Sequence, residues 1–206
     1  LTGSVGAQGV YAIERPTRTL STMLSRAGGI TITPEIAQIV VIRGSMTSRI
    51  WFQDLYEHPE LDIALRGGDR ILVEEDSRAF TALGATGGQA RVPFESQNLS
   101  ALEAIAQVGG LQSATADPTG IFVFRNEPAE VANIVLGRDD LVGAQRFAYV
   151  LDLTQPNGMF QARDFVIRDA DTIYVTEAPY TQFTKILSSL TGPAASVNAL
   201  SNLGGN

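Results

Sequence analysis

Few side chains in this sequence have the type and spacing that chemistry requires. Its one histidine, His58, lies in the polar run Glu57-His58-Pro59-Glu60, and there is no cysteine. A nucleophile, a base and a group to orient the base cannot be assembled from that set. A single His without a second His or a Cys is an equally poor metal ligand. Asp169-Ala170-Asp171 places two carboxylates close together, but it lacks the glycine and closing glutamate of a calcium loop. Gly84-Ala85-Thr86-Gly87-Gly88 could offer amides to a phosphate, yet the Lys-Ser/Thr that ends a P-loop is missing. A hairpin turn is the simpler expectation. Glu74-Glu75-Asp76 reads as a solvated boundary. Trp51 could stack on a sugar ring, but its β-rich surroundings assign it to packing first. The chain is therefore expected not to be an enzyme and to hold no cofactor and no metal.

The elements that carry these residues are written twice. Gly3, Gly6 and Gln8 recur 81 positions later as Gly84, Gly87 and Gln89, and Gly28-Gly29 recurs as Gly109-Gly110. Ile39-Val40-Val41-Ile42-Arg43 returns as Ile121-Phe122-Val123-Phe124-Arg125, now 82 apart. Leu65 to Val73 lines up with Ile167 to Val175 at an offset of 102. Such a pattern is a duplicated structural unit with one copy lengthened in a loop. A duplicated unit without duplicated reactive groups points to scaffolding or binding.

Within the first copy, Thr19 to Ala27 predicts a helix with Leu20, Met23, Leu24 and Ala27 on one face, closed by Gly28-Gly29. Ile36 to Arg43 predicts a buried strand, Gly44 to Ser48 a turn, Arg49 to Leu55 the partner strand, and Arg70 to Glu74 the last strand. The second copy predicts an N-cap at Asn98 for a helix to about Gln107. Strands follow at Gly120–Arg125, Phe147–Leu153 and Asp171–Thr176, with a polar insertion near 127–145.

From Ala178 the composition changes, and Lys185 is the one formally charged side chain left. On a helix, Phe183, Ile186, Leu187, Leu190, Ala194 and Val197 fall on one side. Thr181, Thr184, Lys185, Ser188, Ser189, Thr191 and Ser196 fall on the other. The polar side is rich in hydroxyls and nearly uncharged, unlike an ordinary surface helix. From Tyr180 to Leu203 such a helix would extend about 36 Å, against a hydrocarbon core of ~30 Å. Its Ser/Thr side would be costly in lipid, so a span would require neighbouring copies.

Bulk properties limit the partners. A net charge of −7, with 44% hydrophobic and 18% charged residues, argues against nucleic acid. No run of about 18 apolar residues is present, and the first residues do not resemble a signal peptide. The chain reads as a mature or truncated piece of a longer protein.

The repeated unit resembles the SLBB domain, a β-grasp module, and the pair plus tail resembles the outer-membrane polysaccharide export family. The likeness rests on Leu20-Ser21…Arg26-Ala27-Gly28-Gly29, its echo Leu99-Ser100…Val108-Gly109-Gly110, and Asp69-Arg70-Ile71-Leu72-Val73. It rests also on Ala178-Pro179-Tyr180 through Leu187, which is similar to the segment leading to the family's C-terminal helix. The family usually has Pro-Gly in the first hairpin of each module; Gln8-Gly9 and Gln89-Ala90 stand there instead. The expected fold is α+β, two tandem β-grasp domains (1–76 and 77–177) followed by an amphipathic helix (178–206). The resemblance implies a homo-oligomeric ring, often an octamer, with the apolar helix side toward lipid and the hydroxyl side toward a lumen. It further implies an inner-membrane polysaccharide co-polymerase as partner, polysaccharide as cargo, and β-grasp domains in the periplasm beneath the outer membrane. A soluble periplasmic carbohydrate- or ligand-binding protein is the alternative reading.

Overall fold

The computed structural model describes residues 1–15 and 18–177. Two compact units divide them: residues 1–77 with 94–97, and residues 78–93 with 98–177. Each is α+β.

Unit 1 is built on a four-stranded sheet. Its strands are β1 (Thr2–Gly3), β2 (Ala37–Arg43), β3 (Met46–Trp51) and β4 (Arg70–Glu75), in the order β1-β4-β2-β3. β2 is central, antiparallel to both neighbours, and its β-branched run is buried along most of its length. Helix α1 (Leu20–Arg26) lays Leu20, Met23 and Leu24 against Ile39, Val41, Ile71 and Val73. Thr19 caps it with its side-chain oxygen, and Arg26 stands in the last turn, where a cation favours the helix dipole.

The β2–β3 turn is shorter than the sequence suggests. Arg43 pairs with Met46 around Gly44-Ser45, with Gly44 at φ 59°. A two-residue loop with positive φ matches the twist of the flanking strands, so Thr47 and Ser48 join the ladder instead of the turn. The strand expected to reach Leu55 stops at Trp51. A short helix α2 (Asp54–Glu57) follows and turns Leu55 inward, leaving it 3% exposed.

Unit 2 repeats this plan with one strand more. β5 (Ala79–Gly84), β6 (Ala90–Pro93), β7 (Ile121–Glu127), β8 (Gln145–Leu151) and β9 (Thr172–Val175) run in the order β6-β5-β9-β7-β8. In both units the first strand lies parallel to the last, β1 on β4 and β5 on β9. Helix α3 (Ala101–Gln107) takes the place of α1. Its N-cap is Ser100 and not Asn98: Ser100 is extended and its side chain accepts from the Glu103 amide, while the Leu99 carbonyl before it accepts from the Ile167 amide at 2.7 Å. Glu103 completes a capping box. Helix α5 (Pro156–Asp164), which the sequence reading did not foresee, joins β8 to β9 and packs on α3.

The lengthened hairpin, residues 128–144, is more than a polar loop. Helix α4 (Ala129–Leu136) occupies it and ends at Gly137 in the left-handed conformation, φ 62°. Asn133 then holds the returning chain, donating to the Leu141 carbonyl and accepting from its amide. The helix itself is mostly apolar, with Glu130 and Asn133 its polar residues, yet only Ala132 on it is fully buried and Ile134 stands exposed.

Candidate functional site

The glycine-rich segment after β5 is a packing device. Gly84 has φ 82°, and a Cβ there would collide with the Val175 carbonyl; Gly3 has φ 89° and meets Val73 in the same way. Close passage of the first strand over the end of the last therefore demands glycine in each unit. The amides of Ser4 and Ala85 donate to those same carbonyls at 2.8 and 2.9 Å. Nothing in this geometry cradles an anion.

Carboxylates that could have bound metal are already engaged. Asp171 receives Arg125 bidentately, Nε to Oδ1 at 2.9 Å and Nη2 to Oδ2 at 2.5 Å, and also the Arg168 amide at 2.8 Å. Asp169 accepts from the Ala79 amide at 3.0 Å. Among the described residues no group of three or more His, Cys, Asp or Glu could hold a metal. His58 is exposed, with Nδ1 3.4 Å from Glu60 Oε1. Trp51 is half-buried at the end of β3.

The ion pair at Asp171 has a twin. Arg43 grips Asp69 through Nε to Oδ1 at 2.9 Å and Nη2 to Oδ2 at 2.7 Å, and the Arg66 amide donates to Oδ2 at 2.8 Å. Each arginine also reaches one backbone carbonyl, Ala64 or Val166. In both units the clamp ties the strand beside the last one, β2 or β7, to the turn before that last strand. Planar bidentate pairing fixes that geometry in a way a lysine could not. The Arg43 hydrogen bonds hold the Asp69 carboxyl below its usual range. Sequence reading placed Asp171 at the start of a strand and gave neither it nor Asp69 an arginine partner. The signal was present, because both members of the pair recur at the repeat offsets.

Unit 2 surrounds its clamp with more groups. Glu127, 1% exposed, accepts from the Tyr149 hydroxyl at 2.7 Å and from Arg168 Nη1 at 2.8 Å, and Arg125 Nη1 lies 3.5 Å away. The Arg125 guanidinium sits 4.9 Å from the centre of the Phe165 ring, and Tyr149 meets Phe165 edge-on at 5.1 Å. Burial alone would raise the Glu127 carboxyl; the Tyr149 hydrogen bond and the two guanidinium charges outweigh it and hold it below its ordinary value. Burial and the hydrogen bond to Glu127 push the Tyr149 hydroxyl well up. These groups satisfy one another, so the cluster has the character of a fastener between β7, β8 and the turn before β9.

A groove of about 460 Å³ opens in unit 1, bordered by Leu1, Val10, Tyr11, Leu65, Gly68 and Ile71 among others. Arg66, Asp69 and Arg70 also border it, and Asp69 there is held by Arg43. The two-faced segment singled out in the sequence, from Thr181 to Val197, lies outside the described residues. None of the helices among the described residues is long and apolar enough to cross a membrane.

The model of the SLBB domain matches residues 1–73 and again residues 79–175. The chain belongs to the SLBB domain family. Each SLBB match contains one glycine crossing and one Arg–Asp clamp, so the duplicated chemistry of this chain is the chemistry of holding the module together. Curated relatives extend the likeness. The chain is 29% identical over 189 residues to the capsule polysaccharide export outer membrane protein CtrA of Neisseria meningitidis, covering 87% of this chain and 48% of CtrA. It is 32% identical over 185 residues to the capsule polysaccharide export protein BexD of Haemophilus influenzae, covering 82% and 45%. It is 30% identical over 182 residues to the Vi polysaccharide export protein VexA/TviF of Salmonella typhi, covering 88% and 49%. The chain thus spans about half the length of the curated relatives it matches. The resemblance to the outer-membrane polysaccharide export family is borne out by these proteins.

Proposed function

We propose that this chain is part of an oligomeric outer-membrane channel that exports capsular or extracellular polysaccharide. The observation that carries the reading is the tandem SLBB pair shared, over most of this chain, with proteins named for polysaccharide export. The two units are β-grasp modules that stack copy against copy in the periplasm and set the ring's diameter. Residues 178–206 form the amphipathic helix whose Phe183, Ile186, Leu187, Leu190, Ala194 and Val197 face lipid. Its hydroxyl side, with Thr181, Thr184, Lys185, Ser188, Ser189, Thr191 and Ser196, lines a water-filled exit. Spanning helices satisfy their backbone internally, and a ring supplies the water on one side and lipid on the other.

Transport is passive at this level. A hydrated polymer slides past hydroxyls that bind too weakly to retain it, since conduction requires release as much as entry. An inner-membrane polysaccharide co-polymerase is the partner that delivers the cargo. Saturation of the buried carboxylates by arginine and tyrosine fits a conduit, which needs rigid walls and no reactive group.

Comparison of the chain with one ending at Glu177 tests the reading. Detergent-dependent oligomers that conduct in a bilayer, and are lost on truncation, are the expected result. An unchanged monomer that binds a sugar saturably would overturn it in favour of a soluble binding protein.

A further inference from the structure

Unit 1 keeps the cations of the unit 2 cluster but only one of its carboxylates. In unit 2 the guanidiniums of Arg125 and Arg168 meet the carboxylates of Asp171 and Glu127. Arg43, Arg66 and Asp69 are the repeat counterparts of Arg125, Arg168 and Asp171. The turns are built alike, since the Arg66 and Arg168 amides each donate to Oδ2 of the clamped aspartate at 2.8 Å. Carried two places past Arg43, the offset of 82 sets Ser45 against Glu127. β2 ends at Arg43 and the chain turns over Gly44-Ser45, so the strand extension that carries Glu127 is missing there. Among the described residues the Arg66 guanidinium has no carboxylate partner. Arg43 engages Asp69 and the Ala64 carbonyl through Nε and Nη2, which leaves Nη1 open.

The surroundings of the lost carboxylate persist in altered form. Val123 pairs with Tyr149, whose hydroxyl donates to Glu127; Val41 pairs with Ser48, which sets an exposed hydroxyl at the same place in the ladder. Phe147 opposite Arg125 becomes Met46 opposite Arg43, 66% exposed, and Phe165 becomes the exposed Ile63. The Arg43 side chain is 27% exposed against 7% for Arg125. The place that Glu127 fills from within unit 2 is therefore open to solvent in unit 1. Guanidinium and hydroxyl donors stand there beside two bare apolar side chains.

We propose that Arg43, Arg66 and Ser48 form a carboxylate-binding site, and that the carboxylate belongs to an acidic sugar of the exported polymer. Guanidinium forks match carboxylates, and the C–H face of a sugar ring packs on Met46 and Ile63. One missing carboxylate and two apolar side chains are the scale of a single sugar residue, far short of a protein–protein interface. The sugar assignment rests on the export reading; the carboxylate site rests on the internal repeat alone. A contact of this size releases as readily as it binds, as conduction requires.

Titration of the full chain with sodium glucuronate at constant ionic strength tests the site. The Nε resonances of Arg43 and Arg66 and the Ser48 amide are expected to shift saturably, and glucose is expected to shift none of them. Arg66→Gln, whose side chain stands outside the clamp, is expected to weaken binding roughly tenfold while leaving the thermal midpoint unchanged. Acetate, which lacks the ring, is expected to bind more weakly than glucuronate. The absence of any saturable shift would overturn the site, and equal binding of acetate and glucuronate would overturn the sugar. Shifts at the same groups that grow with protein concentration and need no ligand would also overturn the proposal, since a second copy would then supply the carboxylate. Glucuronate binding in a chain whose oligomers fail to conduct would count against the channel and leave the site standing.

Discussion

Ala170 is the non-glycine residue with positive φ among those described, at 65°, and its counterpart Gly68 has φ 91°. A left-handed backbone strains any residue with a Cβ, so the two turns have the same shape but different cost. Ala170→Gly is expected to stabilise unit 2 by about 0.5–1 kcal/mol, and Gly68→Ala to destabilise unit 1 by about 1 kcal/mol, read from urea midpoints. Glu127 gives a pH signature. Its folded-state pKa is depressed, so its contribution is complete above the unfolded value, about 4.3, and is lost as pH falls through the folded pKa. Unit 2 should therefore lose thermal stability on acidification below about pH 4, and Glu127→Gln should make that loss shallower. An unchanged acid slope would show that the Glu127 charge is not held by its neighbours. None of this was legible in the sequence, because Glu127 and Tyr149 meet only after β7 and β8 pair.

Helix caps separate the two copies at the next scale. α3 has the full capping box, with the Glu103 carboxylate returning to the Ser100 amide at 2.8 Å, whereas α1 has the Thr19 side chain alone. Ser100→Ala is expected to cost about 1 kcal/mol, and Thr19→Ala less, when unfolding of each unit is followed by its own probe. Equal losses would refute a role for Glu103. Strand and helix order was legible because glycine pairs and β-branched runs recur at fixed offsets. The starts and stops were not. Leu99 looks like a helical residue until its carbonyl is seen to pair with the Ile167 amide, and that partner lies far along the chain.

For the molecule as a whole, the export reading predicts an asymmetry between the two sides of the tail. Leu187→Asp and Leu190→Arg are expected to abolish membrane insertion of the oligomer, since a charge at the centre of a spanning helix costs about 2.5–3.5 kcal/mol per copy. Ser188→Asp, on the side assigned to water, is expected to leave insertion intact and to change ion selectivity in single-channel recordings. Loss of insertion in all three variants, or in none, would remove the basis for an inside and an outside.

The sequence by itself determined the duplication, the α+β character of each copy and the family likeness. Those follow from residue types and their spacing, which are local and survive without coordinates. Only the tertiary structure decided that the aspartates are clamped by arginines and that the glycine loop exists for a chain crossing. Each of these depends on strands distant in sequence coming into register, and pairing energies between such strands leave no periodic trace along the chain.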